Sequence, residues 1–136
     1  MKKRVEFYLV LLIICIYHFE VIADNISLNG SWELTYFPQP REAVRTPDDL
    51  QKIKGSTIRA MVPGNVELDM LAAGIIEDPM IGNNVYSLRK YEGYQWCYSK
   101  KFPTPEIKED EYVKIFFGGI DCFADIWLND QLVGSV

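Results

Sequence analysis

The sequence predicts an all-β sandwich carrying one short helix, and three observations lead to it. Apolar and polar residues alternate with a period of two in several stretches, most clearly at Trp32, Leu34 and Tyr36 and again at Tyr94, Trp96 and Tyr98. Proline, glycine and asparagine punctuate those stretches at short intervals. Helical spacing of any strength is confined to one segment near residues 65–74. Short alternating runs between turn signals suit antiparallel strands packed as a sandwich.

Residues 1–23 read as a secretory leader that precedes this domain. Lys2, Lys3 and Arg4 form its charged start, an apolar run of 11 residues from Phe7 to Tyr17 its centre, and Val21-Ile22-Ala23 its cleavage site. A membrane span needs about 20 apolar residues, and here His18 and Glu20 interrupt the run well before that. Cleavage after Ala23 leaves residues 24–136 as one domain, with no membrane segment of its own. The first strand follows at residues 31–37 and ends at Pro38. The Pro-rich, charged stretch beyond it reads as a surface loop with a short helical turn at 47–53, and a second strand at 57–63 stops where Pro63 removes the next ladder donor.

The helix opens at Asn65, a good N-cap, with Glu67 and Asp69 placed favourably for the dipole. Val66, Met70 and Ala73, with Leu71 adjoining, form its apolar side, and Gly74 ends it in a left-handed cap. Asp78-Pro79 then forces an extended turn, and Gly82 frees the backbone before Asn83 and Asn84. The remainder reads as sheet. A strand at 94–102 has Trp96 as buried core. A turn through residues 103–111 leads to a strand at 112–119, and a final hairpin turns at Asn129-Asp130. Because the chain stops inside a strand, the sandwich is expected to be C-terminally truncated with an open edge.

Composition excludes several functions. The net charge of −5 becomes about −6 once three cations and two anions leave with the leader, and the basic residues are scattered, so no phosphate-tracking surface exists and nucleic acid is not a partner. The one histidine, His18, also leaves with the leader. That excludes catalytic arrangements and metal sites built on imidazole, and no cofactor is expected. Cys15 leaves as well; Cys97 and Cys122 could pair in an oxidising compartment, but on separate predicted strands they read as buried small apolar residues. Asn25-Ile26-Ser27 and Asn29-Gly30-Ser31 are N-glycosylation patterns that carry meaning only in a eukaryotic secretory pathway.

Four motifs in order, "LNGSWEL", "VPGNVELDMLAAGIIEDP", "WCYSKKF" and "GGIDCFADIWLNDQLVG", resemble the N-terminal sugar-binding domain of glycoside hydrolase family 2, and its β-mannosidase branch in particular. The resemblance covers nearly the whole of residues 24–136 and implies a galactose-binding-like jelly-roll β-sandwich. It further implies a complete enzyme that continues through an immunoglobulin-like domain into a (β/α)8 barrel. That barrel carries two catalytic glutamates and hydrolyses terminal β-linked sugars with retention. None of that machinery lies in these residues; Asp78, Glu92, Asp121 and Asp125 read as solvated loop and strand-edge carboxylates, so no catalytic residue is assigned here.

The same resemblance implies a role for the loop after the helix, which in relatives folds against the barrel and lends an asparagine to the sugar pocket. By motif position this is Asn84, with Asn83 the alternative. A carboxamide both donates to and accepts from hydroxyls without bringing charge. Where the family often has two aromatics after Asp-Pro and an acid after the asparagine, this chain has Met80-Ile81 and Val85, so β-galactosidase or β-glucuronidase specificity stays open beside β-mannosidase. The implied partners are a terminal β-linked sugar and the barrel. The implied location is outside the cell or in the periplasm of a bacterium, lysosomal or secreted in a eukaryote. A different class of function, a free-standing carbohydrate-binding module, would stack sugars on Tyr86, Tyr91, Tyr94 or Trp127.

Overall fold

The computed structural model describes residues 25–40, 44 and 46–136. The leader expected at 1–23, with Cys15 and His18, lies outside the described residues. The regular structure of the described residues is mainly strand. Strands β1 (Gly30–Pro38), β2 (Ser56–Val62) and β3 (Tyr94–Ser99) form one antiparallel sheet in the order β2-β1-β3. Strands β4 (Asp125–Leu128) and β5 (Gln131–Ser135) form an antiparallel hairpin.

Register follows the alternation in the sequence. Trp32 lies opposite Ala60, Leu34 opposite both Ile58 and Tyr98, and Tyr36 opposite Trp96, which puts the apolar set on one face of the sheet. Leu34 and Ala60 are fully buried there. Phe37, on the opposite face, is also buried, beside Gly55: a β-carbon on that glycine would come within 3.4 Å of the Phe37 ring.

Between β1 and β2 lies α1 (Pro47–Gln51), capped by the Thr46 hydroxyl. Between β2 and β3 lies α2 (Val66–Ala72). The Asn65 side chain accepts the Leu68 amide at 2.9 Å, as its N-cap position predicts. At the far end Gly74 takes a φ of +69°, and the pair Gly74 N–H to Leu71 O and Ile75 N–H to Met70 O completes a Schellman cap. Met70 is buried against the sheet; Ala73, expected on the same apolar side, is exposed because it is the C-cap residue.

Four expectations need correction. Residues 84–91, read as loop passing into strand, form a 3-10 helix, Asn84–Tyr91. The strand expected at 112–119 is absent: every residue from 106 to 123 is exposed, and the segment has no ladder neighbour among the described residues, so alternation alone has nothing to pair with. Trp96 is half-buried rather than core, because one side of the sheet face it shares with Tyr36 opens into a cleft. Cys122, expected to be buried, is exposed because it precedes β4 in the unpaired stretch. Cys97, half-buried on β3, has its thiol pushed up by burial, and both cysteines are free.

Candidate functional site

The loop between α2 and the 3-10 helix is organised by its own polar groups. The Asp78 side chain accepts the Met80 amide at 2.9 Å and its carbonyl accepts the Ile81 amide at 3.1 Å, the Asx-turn chemistry that Asp-Pro favours. Gly82 then adopts a φ of +54°, which a side chain would resist. The Ile81 carbonyl accepts the Asn84 amide, and Asn84 Nδ2 donates to the Asp78 carbonyl at 3.0 Å. The loop is thus a closed ring with Asn84 as its clasp.

Asn84 is half-buried, and its Oδ1 makes no hydrogen bond among the described residues. One end of the carboxamide holds the loop while the other keeps its acceptor capacity. Asn83 is exposed, and although it occupies the N-cap position its side chain caps nothing. The ring's outer residues are apolar, Met80 being 91% exposed and Ile81 63%.

Beside the loop, α2 and the 3-10 helix enclose a cleft of about 510 Å³. Val66, Glu67 and Met70 line it from α2, Tyr86, Arg89 and Tyr91 from the 3-10 helix, and Trp96 from β3. Trp96 stacks on Tyr36 at 5.4 Å, Tyr91 meets Tyr94 edge-on at 5.1 Å, and the Arg89 guanidinium lies 5.6 Å from the Tyr86 ring centre. Of the four aromatics that suggested sugar stacking, Tyr86 and Tyr91 therefore share the cleft and Tyr94 joins the cluster behind it, while Trp127 lies on β4.

The carboxylates have separate environments. Asp78 shapes the loop, Glu92 lines the cleft, Asp125 accepts the Ser135 hydroxyl at 2.6 Å, and Asp121 is exposed in the unpaired stretch. Sequence reasoning missed Asp69, which is 4% exposed. Its Oδ1 accepts the Met61 amide at 2.9 Å and its Oδ2 the Tyr98 hydroxyl at 3.3 Å. The Tyr98 phenol is pushed up to about 12, first by burial and then by the Asp69 charge and hydrogen bond. This clamp seats α2 on the sheet and so sets where the loop begins.

A family model described as the glycosyl hydrolase 2 galactose-binding domain-like domain matches residues 44–136. The chain is 39% identical over 71 residues to a protein named beta-mannosidase B of Thermothelomyces thermophilus, covering 52% of this chain and 8% of that one. It is 31% identical over 108 residues to a probable beta-mannosidase of Caenorhabditis elegans (79% and 10%), and 28% identical over 116 residues to a beta-mannosidase of Mus musculus (85% and 12%). The chain thus spans about a tenth of the length of these relatives. No solved structure matches it.

Proposed function

Because the chain belongs to the glycosyl hydrolase 2 galactose-binding domain-like family, we propose that it is the N-terminal sugar-binding domain of an exported, retaining exo-glycosidase of β-mannosidase-like specificity. In this reading the chain performs no chemistry alone. It supports a barrel that carries the two catalytic carboxyl groups and lends one wall to the pocket for a terminal β-linked sugar. The names of the relatives favour a mannoside, and the leader pattern at residues 1–23 favours export.

The observation that supports the reading is the division of labour in Asn84: its Nδ2 is engaged with the Asp78 carbonyl, while its Oδ1 keeps its acceptor capacity. A sugar hydroxyl is a suitable donor to that oxygen. The apolar tip at Met80 and Ile81 suits packing against a second domain, which would hold the loop at the pocket rim. Asn83 is the less suited of the pair, since nothing fixes its side chain.

The test uses the full-length enzyme with aryl β-mannoside, β-galactoside and β-glucuronide. The β-mannoside should be preferred, and Asn84→Ala should lower kcat/KM on it about twofold to tenfold, the equivalent of one neutral hydrogen bond of about 0.5–1.5 kcal/mol. If Asn84→Ala instead lowers Tm while the folded fraction keeps normal kinetics, Asn84 is only the clasp of its loop. Turnover by the chain of residues 24–136 alone, lost on substituting one of its acids, would overturn the non-catalytic role.

A further inference from the structure

Of the two N-glycosylation patterns at the start of the domain, the second sits on backbone held by several hydrogen bonds. Trp32 Nε1 donates to the Leu28 carbonyl at 2.7 Å, and the Asn29 amide donates to the Ser27 hydroxyl at 3.3 Å. Lys100 Nζ donates to the carbonyls of Asn29 and Ser31 at 3.3 and 3.0 Å, and Arg59 Nε donates to the Ser31 hydroxyl at 3.0 Å. Four of these bonds end on or start from main-chain atoms of residues 28–31, and the fifth holds the Ser31 hydroxyl; none uses the Asn29 carboxamide. The Asn29 side chain makes none among the described residues, and the residue is exposed. Gly30 turns the chain with a φ of +99°, and a β-carbon there would meet nothing within 4 Å, so the space around the site is open.

We propose that Asn29 is an N-glycan attachment site, presented on this pedestal at the entry to β1. The proposal rests on the export reading, since the reaction occurs only on a chain entering a secretory compartment. The co-substrate is an oligosaccharide linked through a diphosphate to a membrane lipid. Asn29 Nδ2 attacks the anomeric carbon of its reducing-end N-acetylhexosamine; the C–N bond forms, the bond from that carbon to the phosphate oxygen breaks, Nδ2 loses one proton and the lipid diphosphate leaves. Ser31 supplies the hydroxyl that the acceptor pattern requires. In the folded domain the glycan stands clear of the sheet, because no hydrogen bond of the pedestal uses the modified group.

The full chain is translated with eukaryotic microsomes, and two properties are read separately: protection from added protease, which reports translocation, and an endoglycosidase-sensitive shift in mobility, which reports the glycan. Protected chain should carry the shift. Asn29→Gln and Ser31→Ala should each remove one glycan step, while Asn25→Gln should leave the Asn29 step in place. Protected chain without a shift, or with a shift unchanged by Asn29→Gln, overturns the proposal. If the chain is not protected at all, the export reading fails instead, and the same variants with residues 1–23 exchanged for another secretory leader decide the Asn29 question independently.

Discussion

Asp69, buried in α2, accepts a hydrogen bond from the Tyr98 hydroxyl of β3 at 3.3 Å while also holding the Met61 amide of β2. β2 and β3 flank β1 on opposite sides, so one carboxylate secures the helix to both outer strands of the sheet. A buried charge is tolerated only where such donors meet it.

Asp69→Ala should therefore destabilise the protein by about 1.5–3 kcal/mol, the range for hydrogen bonds to a charged group, because the Met61 amide is left without its partner. Asp69→Asn should cost less, since a carboxamide oxygen still accepts. Denaturant midpoints of the two variants and the parent check the order, and equal stability of Asp69→Ala and the parent would show that the clamp contributes nothing.

The Tyr98 phenol supplies a pH signature. Its pKa in the folded protein, about 12, lies above the ordinary tyrosine value of 10.0. The folded state therefore holds the proton more tightly than the unfolded state. The contribution is complete below pH 10 and is lost as pH rises from about 10 to about 12. Tyr98→Phe should flatten this part of the stability profile relative to the parent, as measured by thermal unfolding across the alkaline range.

Gly64 joins β2 to the cap of α2, and a β-carbon there would overlap the Met61 carbonyl oxygen. Backbone cannot yield as a flexible side chain can, so Gly64→Ala should cost about 1–3 kcal/mol, comparable to overpacking in a core. Gly93→Ala, where a β-carbon would meet nothing within 4 Å, is the matched control and should change stability far less.

The stretch before β4 should drive association of the chain of residues 24–136. Phe116 and Phe123 are each 90% exposed, and Ile115, Phe116, Phe117, Ile120, Ile126 and Val136 line an open apolar hollow of about 300 Å³. Apolar surface left open in this way marks an interaction or aggregation site. Size-exclusion chromatography with light scattering should show oligomers that Phe116→Asp reduces; a sharp monomer peak for the parent would contradict this.

Strands β1 to β3, the final hairpin and α2 were legible because each owes its form to local pattern: alternation for the strands, Asn129 at a φ of 54° for the hairpin, and Asn65 and Gly74 for the helix ends. Asp69 was not. Its place in the first turns of α2 already satisfied a dipole argument, and only the tertiary packing of α2 on β2 and β3 reveals the two donors. The 3-10 helix carries a weak signal of its own: Val85, Leu88 and Tyr91 recur every three residues, the period of that helix, and all three line the cleft. Asn84 stood out only through the family motif, and its role as a clasp was not legible, since its bond to Asp78 joins residues six apart.

That tight winding also sets a length. Eight residues from Asn84 to Tyr91 at about 2.0 Å each in a 3-10 helix reach about 16 Å, against about 12 Å at the 1.5 Å rise of an α-helix. The segment is anchored at its C-terminal end by the turn into β3 and by the packing of Tyr91 against Tyr94. Rewinding it to α would therefore shorten the span from Asn84 to Tyr91 by about 4 Å and move Asn84, with its ring and apolar tip, that much closer to the Tyr91 anchor. The winding of this one segment is a ruler that fixes how far the asparagine stands from the aromatic anchor at Tyr91.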